Sequence, residues 1–368
     1  MLVDSLGAGQ TGCLEAGAYH QDVRLATPGI TLTSYPGQTA TLVGRLWVSR
    51  SANGATVSGL HLDGTNSDNL PSPTINANSV TFSDDDVTDR HTAICFDIGS
   101  DTYGTAIGTV LTRDRIHDCG VLPAQNHNHG IYLQAAYNTR ISWNLIYANA
   151  DRGIQLYPDA QNTTIDHNVI DGNGENIDFS GDGGIASSGA NVYDNVLSGS
   201  TIRHDVESWY PDGNPLGQNN LVHNNCMWGG AEGTVDTSGG GFTISNNTMA
   251  NPQYVNPAAG DYDLKAGSAC LGVAGNVAAV VDGTTTIAAA TAAQPTQGTQ
   301  ARTRGGRAMA RIAITRRLQN GRARREYIER LERRHLAQRQ ARTVRRRSRR
   351  WHHSHRSVQR HRRTHRWR

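Results

Sequence analysis

Long apolar runs are missing from this 368-residue sequence, and none approaches the roughly eighteen residues that a membrane-spanning helix needs. A charged segment followed by an apolar one, the mark of a signal peptide, is not recognisable at the start either. No transmembrane segment is therefore expected. Cys-x-x-Cys and Cys/His metal spacings are absent as well, which argues against a zinc site built on cysteine.

Positive charge is scarce in most of the chain and concentrated at its end. Residues 1–301 carry 10 Lys and Arg against 29 Asp and Glu, a net charge of −19, whereas residues 302–368 carry 25 against 3, a net charge of +22. Residues 276–301 are rich in Ala, Thr, Gly and Gln, which predicts a linker or a weak last strand followed by disorder. The sequence thus divides into a body of residues 1–275, this linker, and a basic tail of residues 302–368.

A unit of roughly two dozen residues is written twice in the middle of the body. The first copy is GIYLQAAYNTRISWNLIYANADR from Gly130, and the second is GIQLYPDAQNTTIDHNVIDGNGEN from Gly153. Each copy opens on an apolar alternation with a period of two, which is typical of a β-strand. A later apolar residue, an Asn three positions on and an Ile two after that complete each copy. The unit predicts three short strands with tight corners.

The same apolar signature, with Asn or Asp at the corner, recurs at intervals of 23 to 30 residues. Its first positions are Phe82, Leu111, Ile141, Ile165, Val192, Leu221 (or the same pattern one residue later) and Ile244, and Val57 begins a looser copy with Leu60 at the corner. Three short strands cannot bury an apolar face alone, but stacked units share one core with strands paired at about 4.8 Å. We therefore predict an all-β parallel β-helix, a solenoid of about nine or ten coils between Val23 and Met249.

Asn suits the predicted corner for two reasons. It tolerates the left-handed backbone conformation, and its amide can hydrogen-bond to the Asn of the next coil. We expect Asn144, Asn168, Asn195 and Asn247 to form one such stack.

The five cysteines are most simply interpreted as small buried apolar residues. They are Cys13, Cys95, Cys119, Cys226 and Cys270. Cys95 and Cys119 lie about one coil apart, so stacking or a disulfide between them is the alternative. An odd number leaves one thiol over.

The corner pattern, the GIYL and GIQL strands and the opening segment PGITLTSYPGQTATLVGRLWVSRSANGATVSGLHLDG resemble secreted bacterial right-handed β-helix repeat proteins of the pectate-lyase-like superfamily. The segment NPQYVNPAAGDYDLKAGSACLGVAG resembles the stretch that closes such domains. The resemblance spans about Val3 to Gly275 and implies a right-handed parallel β-helix in an extracellular or cell-surface protein, expected as a monomer. It implies no single activity, because this fold hosts lyases, hydrolases, epimerases and non-catalytic proteins.

In this superfamily, catalysis usually takes place on the outer face of the first strand of each coil. With Ile and Leu or Phe facing inward, the other alternate positions form an outward row. The row and the loops beside it are expected to hold Cys95, Asp97, His127, His129, Tyr132, Gln134, Arg152, Gln155, Tyr157 and Asp178. In this arrangement Cys95, Tyr132, Gln155 and Asp178 share one row.

Removal of the proton beside a uronate carboxylate needs a neutralising cation, a base, and an acid for the opposite face of the sugar. His127, His129 and Tyr132 are the predicted base and acid, and Arg152 is predicted to hold the carboxylate bidentately. This set resembles the Tyr/His chemistry of alginate-modifying β-helix enzymes. The lysine base of some β-helix lyases has no counterpart, since Lys265 is the only lysine and lies near the closing end.

Gln155, Tyr157 and Asp178 are the predicted substrate-binding residues, because stacked aromatic rings and outward polar groups are how sugars are gripped. Structural alternatives stay open for the whole set. A His in the sequence NHNHG is often a turn residue bonded to the backbone. Arg152 can equally pair with a nearby acid on the surface.

The segment DGNGENIDFSGDGG offers hard oxygen ligands of the kind that calcium prefers. Its candidate ligands are Asp171, Asn173, Glu175 and Asp182. It does not complete an EF-hand loop, because the twelfth position is Asp182 instead of Glu. Calcium is therefore an optional cofactor in this prediction, and none is required.

Two function classes follow: an extracellular enzyme of uronate lyase or epimerase type acting on an acidic polysaccharide, and a non-catalytic β-helix that binds polysaccharide or serves as a surface module. The tail supports a third, binding of nucleic acid or another polyanion by counterion release. We expect the tail to be disordered with a short helix near residues 326–333. A shifted reading frame in high-GC DNA would also produce twenty-five Arg and no Lys, and this alternative stays open.

Overall fold

The computed structural model describes residues 2–292, and this part of the chain winds into a parallel β-helix. A coil contributes one strand to each of three sheets, so neighbouring strands in a sheet are separated in sequence by one coil. The basic tail, and the expectation that it is disordered or partly helical, lie outside the described residues. Between residues 2 and 292, no helix is long and apolar enough to cross a membrane.

The first and second sheets each have ten parallel strands. The first sheet consists of Thr11–Leu14, Thr31–Ser34, Thr56–Ser58, Thr81–Ser83, Val110–Thr112, Arg140–Ser142, Thr164–Asp166, Asn191–Tyr193, Leu221–His223 and Thr243–Ser245. The second sheet consists of Gly17–His20, Ala40–Val43, Leu60–Asp63, Asp86–Thr88, Arg115–His117, Leu145–Tyr147, Val169–Asp171, Val196–Ser198, Cys226–Trp228 and Thr248–Met249.

The third sheet also has ten strands, of which Ile185–Ala186 alone is antiparallel to its neighbour. The others are Val23–Leu25, Leu46–Val48, Thr74–Ile75, Phe96–Ile98, Ala106–Ile107, Ile131–Tyr137, Arg152–Gln161, Glu175–Asp182 and Val206–Trp209. A separate antiparallel pair and the helices complete the described chain. They are the strands Tyr254–Asn256 and Asp261–Leu264, the 3₁₀ helix Pro257–Ala259, and the α-helices Leu2–Ser5, Leu271–Ala274, Val277–Val281 and Ile287–Ala292.

Period-two alternation in the third sheet has the predicted register. Ile131, Ile154 and Ile177 are aligned partners in neighbouring strands and are fully buried. The residue after each forms the outward row of Tyr132, Gln155 and Asp178. The fold therefore aligns successive coils and presents one outer face of long strands.

The predicted row is wrong at Cys95. Phe96 pairs with Ile131, so Asp97 occupies the position beside Tyr132, and Cys95 is buried. Ile94 lies two residues before Phe96 and fits the same alternation. The pattern alone therefore does not decide whether Ile94 or Phe96 pairs with Ile131.

Hydrogen bonds link the corner asparagines from coil to coil. The Asn144 amide donates to Asn168 Oδ1 at 3.0 Å, Asn168 to Asn195 at 2.9 Å, Asn195 to Asn225 at 2.9 Å, and Asn225 to Asn247 at 3.1 Å. Each amide thus satisfies its neighbour; the first four asparagines of the stack are fully buried, and Asn247 at its end is partly exposed.

The left-handed backbone conformation expected of these asparagines lies one residue earlier. The residues with positive φ are Trp143 (60°), His167 (53°), Asp194 (54°), Asn224 (54°) and Asn246 (54°). The role of the stacked asparagines is therefore to form the hydrogen bonds between coils. The preceding residue, which has the positive φ, is not restricted to Asn, since Trp143 occupies this position in one coil.

Two aspartates continue this stack upstream. Asp85 N–H donates to Asp114 Oδ1, and Asp114 N–H donates to Asn144 Oδ1, each at 2.9 Å. Burial raises the pKa of both carboxyls well above their usual range, and the charge of Asp114 adds to the shift of Asp85. The Oδ2 atom of each is buried without a hydrogen-bond partner in the described part of the chain.

We expect Asp114→Asn to raise the free energy of unfolding by about 1–2 kcal/mol at pH 7. The substitution puts an N–H donor where Oδ2 has no partner within residues 2–292, as in Asn144, and it removes the charge that the buried carboxyl carries above its raised pKa. The gain should shrink as the pH falls through the raised pKa of Asp114, because protonation then removes the same charge. Denaturant unfolding at pH 7 and pH 5 measures both effects. Asp68→Asn, a change at an exposed loop aspartate, is the control and should not stabilise; no gain from Asp114→Asn would contradict the account.

Two disulfides replace the expected free buried thiols. Cys95 bonds to Cys119, and Cys226 bonds to Cys270. The interpretation of the cysteines as unbonded apolar residues is thus wrong for these four, and the alternative of a bridge one coil apart holds for the first pair. Cys13 is exposed and unpaired within residues 2–292.

The predicted start of the linker at residue 276 is also wrong. Val277–Val281 is a helix with three of its five residues buried, and Ile287–Ala292 follows it as another helix. They cover outward apolar residues of the second sheet, among them Leu145, Val169 and Val196. The Ala-rich composition suggested disorder, but the helices are stabilised because they bury this apolar face of the second sheet.

Candidate functional site

A cleft of about 270 Å³ runs along the outer face of the third sheet. We call it the third-sheet cleft; it is lined by Asn126, His127, His129, Tyr132, Arg152, Gln155, Tyr157, Arg203 and Trp209. Six of these are sequence candidates, brought together from two successive coils. Asp178 is a candidate that does not line the cleft.

The loop before the strand Ile131–Tyr137 positions the two histidines. Its backbone N–H groups at Asn126, His127 and Asn128 each donate to the carboxylate of Asp151 at 2.7 Å. Asp151 is buried, so its charge is satisfied mainly by these donors. Gly120 permits the close packing of the loop, because a Cβ there would lie 2.5 Å from the Asn128 carbonyl oxygen.

His129 lies at the floor of the cleft and is 2% exposed. Burial lowers the pKa of His129 well below its usual value, and the positive charge of Arg152 lowers it further. The imidazole is therefore neutral at pH 7. Its Nδ1 is buried and has no hydrogen-bond partner among the described residues. A neutral imidazole is the form that accepts a proton.

Aromatic rings form a row along one side of the cleft. The Tyr132 ring lies 5.4 Å from the His129 ring and 6.3 Å from the Tyr157 ring, which is nearly parallel to it. Trp209 follows at 6.5 Å from Tyr157 and is 50% exposed. The Tyr157 hydroxyl donates to Asp182 at 3.2 Å, which fixes the ring. Such a row presents flat apolar surface with polar edges.

Arg152 joins the cleft to two buried acids. Its Nε lies 3.0 Å from Glu175 Oε2 and 3.1 Å from Asp178 Oδ2. Burial, with the Asp178 charge adding to it, raises the pKa of Glu175 well above its usual range, and burial also raises the pKa of Asp178. Arg152 lines the cleft, and its Nη1 atom is buried without a hydrogen-bond partner within residues 2–292.

The prediction that Asp178 binds substrate is corrected by its burial. Asp178 is 1% exposed and accepts a hydrogen bond from Gln155 at 2.8 Å and another from Ser180. It positions Gln155 and Arg152 from the next strand of the same outward face. The expectation that Arg152 pairs with a surface acid is likewise replaced by its buried pairs.

A second cavity of about 330 Å³ adjoins the cleft. Asn126, Arg152 and Arg203 line both spaces, so the two form adjacent binding regions separated by these side chains. Arg203 donates to Glu207 at 2.9 Å, and this carboxylate raises the pKa of Arg203 even though partial burial opposes the shift. Two guanidinium groups therefore stand at the junction.

Sequence reasoning missed Asn126, Arg203 and Trp209. Asn126 precedes the two candidate histidines, and its closeness to them was the available signal. Trp209 lies in the strand Val206–Trp209, which pairs with Glu175–Asp182 in register. If the outward face of the third sheet is followed one coil further, to this strand, Trp209 is identified as an outward residue. Arg203 lies in a loop, and no periodic pattern marks it.

The four candidate calcium ligands are not brought together. Asp171 accepts a hydrogen bond from Ser198, and Asp182 accepts one from Tyr157. Asn173 belongs to a second asparagine stack, where it accepts from Asn149 at 2.8 Å. Glu175 pairs with Arg152. Each of these side chains is engaged by a different internal partner, so the four do not fit a calcium site.

Residues 50–249, more than half of the chain, match the family described as right handed beta helix region, and the protein belongs to this family. The chain is thus a right-handed parallel β-helix. A search of curated proteins found no match.

Two solved structures illustrate the likeness. The crystal structure of pectate lyase Pel9A is similar over 74% of this chain and 84% of its own, with a TM-score of 0.50 and 12% identity. The A-module of mannuronan C-5 epimerase AlgE4 from Azotobacter vinelandii is similar over 66% of this chain and 86% of its own, with a TM-score of 0.41 and 15% identity. At such identities the likeness concerns the fold.

Proposed function

We propose that this protein is an extracellular β-helix that binds an acidic polysaccharide in the third-sheet cleft and processes it by lyase or epimerase chemistry. The observation that carries the proposal is a buried neutral histidine, His129, in an aromatic-walled cleft that is also lined by Arg152, whose Nη1 has no hydrogen-bond partner within residues 2–292. Two disulfides support an oxidising compartment, since such bonds persist outside the cytosol.

The roles follow from the chemistry of removing a proton beside a carboxylate. Arg152 and Arg203 would bind the uronate carboxylate and stabilise the negative charge that develops as the proton leaves. His129 would accept the proton, with Tyr132 as the acid for the opposite face. Return of a proton on the other face gives an epimer, whereas departure of the neighbouring glycosidic oxygen gives an unsaturated product.

Tyr157 and Trp209 would hold the neighbouring sugar rings by stacking. We expect Trp209→Ala to weaken binding of a uronate oligosaccharide by about 1 kcal/mol or more, about fivefold in Kd. Titration calorimetry on the full chain measures the effect, and added salt should weaken binding in both proteins.

Trp228→Ala is the matched control, because Trp228 is 48% exposed but ends a strand of the second sheet. The basic tail is present in both variants, so its polyanion binding cancels in the comparison. Equal affinities of the two variants would place the sugar outside the cleft. Binding without any turnover would favour the non-catalytic module.

A further inference from the structure

A second group of ionisable side chains lies next to Arg203, outside the third-sheet cleft. The nitrogen and oxygen atoms of His204, Glu207 and Glu232 that could ligate a metal all lie within 4.8 Å of one another. His204 Nδ1 is 3.0 Å from Glu207 Oε2 and 3.9 Å from Glu232 Oε2. In the chain from residue 2 to 292, it is the one group of three or more His, Cys, Asp or Glu side chains with this spacing.

The group is held by two successive parts of the solenoid. Glu207 lies in the strand Val206–Trp209, where it pairs in register with Asp178. Glu232 lies in the following loop, which packs on the imidazole of His204. Gly233 allows this approach, because its φ is 125° and a Cβ there would lie 3.3 Å from His204 Cδ2.

The Glu207 carboxylate is oriented by a second partner. Its Oε1 accepts a hydrogen bond from Arg203 at 2.9 Å, while its Oε2 faces His204. One oxygen is thus fixed by an outer donor and the other is directed to the centre of the group. Outer hydrogen bonds of this kind orient carboxylates that bind metals.

We propose that His204, Glu207 and Glu232 bind one divalent transition-metal ion of the zinc type. Zinc lies about 2.0–2.1 Å from a histidine nitrogen and about 2.0–2.2 Å from a carboxylate oxygen, so two ligands of one ion are at most about 4.3 Å apart. Both distances from His204 satisfy this limit, and the ligand oxygens of Glu207 and Glu232 lie within 4.8 Å of each other. An imidazole in the set favours zinc over calcium or magnesium, which prefer oxygen ligands alone.

The ion would replace the proton that His204 shares with Glu207 and would tie the strand Val206–Trp209 to the next loop. The Glu232 side chain is 62% exposed, so the ion would be reached from solvent and a water molecule could complete its coordination. Because ligands in two segments are joined, metal binding should stabilise the folded body.

Equilibrium dialysis of the full chain against Zn²⁺ tests the site. Glu232→Gln and His204→Asn should each bind one zinc ion fewer per chain than the unmodified protein, and should lose part of the zinc-dependent rise in melting temperature. Glu15→Gln, a change at another exposed acid, is the control and should bind as the unmodified protein does. Histidines of the tail bind zinc equally in all four proteins, so they do not affect the differences.

The same zinc count and the same melting shift in all four proteins would overturn the proposal. Glu232→Gln keeps the size of an exposed side chain, so its melting temperature without metal should match that of the unmodified protein. Polysaccharide binding is not a readout here, and failure of the metal site leaves the proposed function untouched.

Discussion

Replacing Arg152 by Met is expected to lower the free energy of unfolding by about 3–5 kcal/mol at pH 8. The guanidinium lies within 3.1 Å of two carboxyls, and the Arg152, Glu175 and Asp178 side chains are at most 4% exposed. Burial raises the pKa of both acids, and Arg152 opposes that shift. Without the cation, two acids would share one buried site, which is among the costliest single changes a folded protein can undergo.

The loss of unfolding free energy in Arg152→Met should be smaller at pH 5 than at pH 8. A carboxyl whose pKa is raised in the folded state takes up its proton there at a higher pH than in the unfolded chain. The cost is therefore present at high pH and is relieved as the pH falls through the raised pKa. Denaturant unfolding of Arg152→Met at the two pH values measures the difference.

Arg140→Met is the matched control. Arg140 also pairs with a buried acid, Asp166, at 3.0 Å, but its own side chain is 53% exposed. Water can solvate that pair, so the control should lose about 1 kcal/mol or less. Similar losses from both substitutions, or a loss from Arg152→Met that does not change with pH, would contradict the role assigned to burial.

His129→Ala is expected to lower kcat/KM on a uronate polymer by about 10²–10⁴-fold, the usual contribution of a positioned base. Binding should be largely retained, since the aromatic row and both arginines remain. His223→Ala is the control, because His223 lies on the first sheet and hydrogen-bonds to Asn191. A large loss of binding with little loss of turnover would contradict the role of His129 as the base.

The pH profile gives a second readout for His129. Its pKa is lowered by burial and by Arg152, so the imidazole stays neutral below the usual histidine value of about 6.5. The acid side of the kcat/KM profile should therefore fall below pH 6.5, with activity lost as the pH drops through the lowered pKa. An acid limb above pH 6.5 would indicate a different base.

Periodicity made the solenoid predictable. The recurring signature around Ile141 and Ile165 encodes strand, corner and strand in each coil, and stacking follows because no coil buries its apolar face alone. Two features were not accessible this way. At Phe96, two apolar residues, Ile94 and Phe96, fit the strand pattern equally well, so the pattern does not fix the register. The helix Val277–Val281 is stabilised by packing on the apolar face of the second sheet, a contact that exists only in the folded chain.

The candidate site was only partly predictable. His127, His129, Tyr132, Arg152, Gln155 and Tyr157 were found because row position and loop position follow from the repeat. The burial of Asp178 could not be predicted from the repeat. Its position faces outward on the strand, but Arg152 of the neighbouring coil covers it. Arg203 lies in an aperiodic loop, and its position near Arg152 exists only in the folded chain.

The most direct measurement is product analysis after incubating the full chain with pectate, alginate and glycosaminoglycans. Ultraviolet absorbance reports an unsaturated product, and the ratio of uronate epimers reports inversion. The account predicts that at least one polymer is bound and converted, and that His129→Ala abolishes conversion while His223→Ala does not. Binding without conversion would contradict catalysis in the cleft, and no binding of any of the polymers would contradict the carbohydrate function altogether.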